Sequence, residues 1–148
     1  MSVYLLRIVT TAVLLLSLTT NISVAEQTYP PQKVIYHINY PDTSRINATF
    51  TNISNHLAAV GEDNIDLKVM IHGAALEYFL SASEDEAKQI LLDSIRLEGA
   101  HLLFCGNTLD AYSKTIDDIY GAETQDRVQA GLPAIVALQQ QGYIYVRP

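Results

Sequence analysis

Short apolar runs alternate with stripes of apolar residues at helical spacing along most of this chain. Residues 33–39, KVIYHIN, are rich in β-branched and aromatic side chains and stop before Pro41 and Asp42, which predicts a first strand. Ile46, Phe50, Ile53, Leu57 and Val60 recur at helical spacing, and Gly61 stands where a helix closes. Residues 67–71, LKVMI, predict a second strand ended by His72 and Gly73. Ser83 and Glu86 fit a capping box for a second helix, with Ala87, Ile90, Leu91, Ser94 and Ile95 as its inward face and Gly99 at its end. Residues 101–104, HLLF, predict a third strand, and Thr108 to Tyr120 reads as mixed short helix and loop. Val128 to Ala130 reads as a short strand. Gly131-Leu-Pro133 opens a last helix reaching Gly142, and residues 143–146, YIYV, form a final strand.

Strands alternating with helices predict βαβ units and an α/β fold around a mostly parallel, about five-stranded sheet. The near-continuous apolar strands predict burial on both faces, and the crossovers are expected to be right-handed. No internal repeat or low-complexity segment interrupts the pattern.

The first 25 residues follow a different rule. Arg7 precedes the apolar run from Ile8 to Leu18, no acid occurs before Glu26, and Ser23-Val24-Ala25 has small residues where a signal peptidase needs them. The run is short of the roughly 20 residues that span a bilayer. The expectation is a cleaved signal peptide at residues 1–25, one domain at residues 26–148, and a periplasmic or secreted location. The competing expectation is an uncleaved N-terminal anchor.

Charge then limits the partners. Lys and Arg number 9 against 16 Asp and Glu, a formal net charge of −7, and loss of Arg7 with the leader makes it one unit more negative. No basic stripe is available for phosphates, so neither nucleic acid nor, after leader cleavage, an anionic membrane surface is expected as a partner.

Cysteine count matters more. The chain has one cysteine, Cys105, and cannot close an internal disulfide. A single thiol in an exported protein is a buried apolar residue, a site for an intermolecular disulfide or a reactive group. Parallel α/β sheets bind ligands outside the carboxyl ends of their strands, and Cys105 falls at the end of the third. Gly106 would let the chain turn there, and Asn107 or Thr108 would cap the helix that follows. Backbone N–H groups and a helix N-terminus would favour the thiolate. His72 and Gly73 end the second strand at the same edge, where the imidazole could hold a sulfur anion or move a proton. His101 lies at the opposite end of its strand. His37 reads as a hydrogen-bonded core histidine, and His56 as a surface residue beside the first helix's apolar stripe. Asn52 and Asn55 are expected to cap or hydrogen-bond within the fold.

Five blocks, KVIYHI, NISN, LKVMIHG, GAHLLFCGNTL and VQAGLPAIVALQQQGYIYVRP, occur in an order and spacing that resembles the DsrE/DsrF-like (YchN-like) family, most closely its small exported members. The resemblance runs from about Lys33 to Pro148. It implies a three-layer α/β/α sandwich, often assembled into trimers or hexamers. In sulfur-relay members a cysteine after the third strand accepts and passes on a persulfide sulfur, and Cys105 occupies the matching position. The function this implies is sulfur carriage between a donor and an acceptor, either proteins or small sulfur compounds, with no cofactor. One thiol suffices for a carrier, whereas a self-contained disulfide oxidoreductase would want a C-x-x-C pair.

The rival reading is an oligomeric binding or scaffold module with Cys105 merely packed and with Tyr120, Tyr143 and Tyr145 at subunit contacts. A metal centre lacks a third ligand at plausible spacing within one subunit, so none is expected there; a site shared at an oligomer axis stays open. Ser-hydrolase chemistry lacks its G-x-S-x-G elbow, and no glycine-rich phosphate loop follows the first strand.

Overall fold

The computed structural model describes residues 28–148; the expected leader lies outside the described residues. Five parallel strands, β1 (Gln32–Ile38), β2 (Ile65–Ile71), β3 (His101–Cys105), β4 (Arg127–Val128) and β5 (Ile144–Val146), form one sheet in the order β4-β3-β2-β1-β5. Five helices accompany them: α1 (Thr43–Val60), α2 (Leu76–Leu80), α3 (Glu86–Leu97), α4 (Gly106–Ala111) and α5 (Gly131–Gln140). The expected α/β class and three-layer arrangement are what the chain adopts.

The layering follows from the two-residue period of the strands. Val34, Tyr36 and Ile38 of β1, Leu67, Val69 and Ile71 of β2, and Leu102 and Phe104 of β3 face a large core with α1, α2, α3 and Leu109 of α4. Phe50, Tyr78, Phe79 and Phe104 meet there edge-on, with ring centroids 5.3 to 6.2 Å apart. The alternate residues face the other way. Ile35 and Met70 are fully buried under Ile135 of α5 and Tyr143, with Leu103 and Val128 packed beside them. One ten-residue helix covers this second face, so its polar residues lie close to the surface.

Helix α1 begins three residues before its first apolar position because Asp42 caps it, accepting from the Arg45 N–H at 2.6 Å. It ends as expected at Gly61, which takes φ 86° while its N–H reaches the Leu57 carbonyl at 2.8 Å.

Helix α3 corrects two expectations. Asp85 is its cap, accepting from the Lys88 N–H at 3.2 Å, while the Ser83 hydroxyl donates to the Leu80 carbonyl. Its buried positions are Leu92 and Ile95, with Lys88, Gln89 and Arg96 half-buried at its margins. Ile90, 62 % exposed, lies on the outer surface, and Ala87, Leu91 and Ser94 are exposed too. Of the stripe read as inward, only Ile95 meets the core, and the rest is rotated away from it. Lys88 and Gln89 supply aliphatic stems where an apolar residue was expected.

The chain reaches β2, β3 and β4 by moving outward from β1, then returns across the sheet to place β5 on β1's other side. This reversal makes β1 the topological switch point, where α/β sheets open a crevice at the carboxyl edge.

Candidate functional site

The register fixes what meets at that edge. Ile38 pairs with Ile71 and Ile71 with Phe104, so the next residues, Asn39, His72 and Cys105, stand side by side where the strands end. Two-residue alternation places His37, His72 and Cys105 on the face that α5 covers, together with Tyr145 of β5.

Cys105 is 6 % exposed and occupies the N-cap position of α4. Its Sγ accepts from the Gly131 N–H, the first residue of α5, at 3.1 Å. The preceding Ala130 has no side-chain acceptor to offer α5, so the sulfur takes the place of a capping oxygen. Burial pushes the thiol's pKa up. The Thr108 hydroxyl and N–H, then the Gly131 and Asn107 N–H groups, push it down by more, and it lies below the ordinary thiol value. The Asn107 N–H is shared with the Gln129 carbonyl at 3.3 Å.

The neighbours expected to act here are present, with altered roles. Thr108 and Asn107 are not side-chain caps of α4. Thr108 is buried, and its Oγ1 accepts from the Gly73 N–H at 3.0 Å, tying the end of β2 to the thiol loop. Asn107 turns its side chain to solvent. Gly73 adopts φ 62°, the left-handed region that glycine enters without a Cβ clash. Gly106 is not needed for the turn, because its φ is not positive. A Cβ there would stand 2.6 Å from the Arg127 guanidinium carbon, so that flexible side chain would have to shift to admit one. That guanidinium lies over Gly106 and reaches Asp110 at 3.3 Å. Gly131 is equally close-packed: a Cβ would lie 3.2 Å from Cys105 Cβ and 3.4 Å from both His72 Cβ and Met70 Sδ.

His37 is the hydrogen-bonded core histidine expected, and it also stands at the site, which pattern reading did not foresee. It is 5 % exposed, and its ring stacks on His72 with centroids 4.7 Å apart and planes 23° from parallel. Its Nδ1 shares a hydrogen bond with the Tyr145 hydroxyl at 2.6 Å. The Nε2 atoms of both His37 and His72 are buried without a hydrogen-bond partner. Burial, then the charges of His72 and Arg147, lower the His37 pKa to about 4; burial and Arg147 lower that of His72. Both imidazoles are therefore neutral near pH 7. Arg147 lies at the same edge, donating to Asn39 Oδ1 at 2.7 Å. The signal that could have revealed His37 is parity: it shares the odd positions of β1 with Lys33 and Ile35, the face that β2 continues through Asp66, Lys68, Met70 and His72.

The remaining expected residues sit elsewhere. His101 is exposed at the amino end of β3 beside Lys68. His56 is half-buried rather than free at the surface, bonded to the Tyr36 hydroxyl at 3.0 Å and Gln32 at 2.7 Å. Tyr143 is buried, with its hydroxyl donating to Asp66. Asn52 and Asn55 are exposed. Among the described residues no group of three or more His, Cys, Asp or Glu side chains is arranged to hold a metal ion, and no helix is long and apolar enough to cross a membrane. A concavity of about 490 Å³ lies between α1 and the end of α3, lined by Ser54, Asn55, Leu57, Gly61, Glu62 and Glu98, none of them at the thiol edge.

The arrangement defines an α/β fold with a hydrogen-bonded, pKa-lowered thiol at the carboxyl edge of its sheet. The chain matches no protein-family model and no curated protein. It is similar in structure to MTH1491 from Methanobacterium thermoautotrophicum, a protein of unknown function. The TM-score is 0.68 at 24 % sequence identity, over 79 % of this chain and 99 % of that one. That likeness is one of fold.

Proposed function

We propose that this protein is an exported sulfur carrier of the DsrE/DsrF-like kind, holding a persulfide sulfur on Cys105. The observation that carries this reading is the seat of the thiol: Sγ accepts from the first N–H of α5 at 3.1 Å where a capping oxygen would otherwise be. A thiolate held this way attacks a sulfane sulfur, becomes Cys–S–S⁻ and yields the outer sulfur to a second thiolate. Donor and acceptor are separate molecules, since the chain has no second cysteine. His72 stands one strand away to hydrogen-bond the sulfur anion. The proposed carrier is a homo-oligomer, trimer or hexamer. Leu132 and Val136, exposed one turn apart on α5, support assembly.

Intact mass after brief exposure to a polysulfide donor tests the reading. Native protein should gain sulfur faster than the denatured chain, and a Cys105→Ala variant should gain none. No gain on native protein, with normal labelling once unfolded, refutes the carrier. The second reading, a scaffold with a packed thiol, draws its support from the 6 % exposure of Cys105 and would be favoured by that result.

A further inference from the structure

Two buried imidazole nitrogens at the thiol edge, one and two strands from Cys105, have nothing to bond. A buried polar atom without a partner costs free energy, and native folds rarely keep one that no water, ion or ligand satisfies. Here two such atoms, His37 Nε2 and His72 Nε2, belong to rings stacked at 4.7 Å, and the second ring stands beside Cys105 across one strand spacing. His37 Nδ1 and the Tyr145 hydroxyl lie 2.6 Å apart, and in the tautomer where the phenol donates, His37 Nε2 carries the hydrogen. Pairing across β1 and β5 places this bond at the topological switch point.

We propose that this edge binds a small inorganic anion carrying a terminal sulfane sulfur, held by His37 Nε2 and His72 Nε2 with that sulfur against Cys105 Sγ. The inference rests on the sulfur-carrier reading and deepens it by naming the donor's class. Size follows from burial: His37 and Cys105 are 5 % and 6 % exposed, which favours an ion of a few atoms over a partner protein's cysteine as the group that lies between them. Charge follows from the surroundings. The Arg147 guanidinium lies at this edge, the start of α5 faces Sγ, and the nearest carboxylate along the thiol loop, Asp110, is engaged by Arg127.

The chemistry balances without an outside oxidant. Cys105 thiolate attacks the terminal sulfur, a Cys–S bond forms and the donor's S–S bond breaks. The bonding pair leaves on sulfite when the donor is thiosulfate, or on hydrosulfide when it is hydrogen disulfide. The transferred sulfur keeps its oxidation state, and the cysteine sulfur rises by one unit as the sulfur that leaves falls by one.

Two measurements test the proposal. In a Cys105→Ser variant, which cannot react, thiosulfate should shift the imidazole Nε2 resonances of His37 and His72 saturably, and sulfate should not. No shift, or an equal shift with sulfate, overturns it, leaving bound water or a generic anion as the partner of these nitrogens. In loading kinetics, His37→Asn keeps an amide for Tyr145 and removes Nε2. The concentration of thiosulfate or sodium trisulfide giving half-maximal loading should rise about tenfold, as expected for one hydrogen bond to a charged group. Unchanged half-saturation overturns the site. Wild type that takes sulfur from a persulfidated protein but from neither inorganic donor overturns the inference and leaves the carrier reading standing. Failure with every donor removes both.

Discussion

Gly131→Ala isolates the contact between α5 and the thiol. The added methyl would stand 3.2 Å from Cys105 Cβ and 3.4 Å from His72 Cβ and Met70 Sδ. Two of these neighbours are Cβ atoms fixed to sheet backbone, so the helix start must retreat by a few tenths of an ångström. Overpacking of this kind costs about 1–3 kcal/mol, and replacing glycine at a compatible φ returns about 0.4–1 kcal/mol. The net loss expected is therefore about 0–2.6 kcal/mol, small enough to leave the protein folded. The same retreat lengthens the 3.1 Å bond from the Gly131 N–H to Sγ. A hydrogen bond to a charged group contributes about 1.5–3 kcal/mol, so weakening this one should raise the thiol pKa and reduce the thiolate fraction. The assay is the rate of iodoacetamide alkylation against pH, read by mass, beside a urea melt of each protein. Wild type should alkylate with a midpoint below that of an ordinary thiol, and the variant's midpoint should move up. A destabilised variant with an unmoved pH profile would falsify the idea that α5 sets the thiolate.

Other outcomes follow from the same contacts. Thr108→Val removes the hydroxyl that lowers the thiol pKa and accepts from Gly73, so alkylation near pH 7 should slow and stability fall by about 1–3 kcal/mol in a urea melt. His37 has its pKa lowered from 6.5 to about 4, so the unfolded chain takes up its proton first. Its contribution is complete above pH 6.5 and is lost as pH falls toward 4, about 3 kcal/mol in all, and His37→Asn should flatten that part of the urea-stability profile. Leu92→Ala should cost about 2–5 kcal/mol and Ile90→Ala no more than about 0.5 kcal/mol. Equal costs would mean that α3 is rotated from the orientation described.

The strands, the main helices and the position of Cys105 at a strand end were legible because burial on both sides of a parallel sheet writes itself as continuous apolar runs. Helix α3 was misread because its apolar residues are split between two faces, and Leu92 and Ile95 are buried with the stems of Lys88 and Gln89. The thiol loop was located correctly, but its roles were assigned by residue preference. Thr108 and Asn107 are common caps, yet the acceptor at that corner is sulfur and the donor comes from α5, 26 residues on. His37 and Tyr145 were out of reach of local pattern, because their contact depends on β5 returning to β1. Once the register is known, alternation places His37 and His72 on one face without further information.

That return has a consequence for synthesis. His37 and Tyr145 are 108 residues apart, and β5 pairs with the first strand after β2, β3 and β4 have been laid down on its other side. A chain emerging from its N-terminus can build the aromatic core under α1 to α3 before residues 143–147 exist. The thiol edge closes last: until then Met70 and Ile35 lack the Tyr143 that helps cover them, and the two histidines lack Tyr145 and Arg147. A nascent or truncated chain can therefore carry most of the core and the cysteine, with the groups that tune the neighbouring histidines still to come.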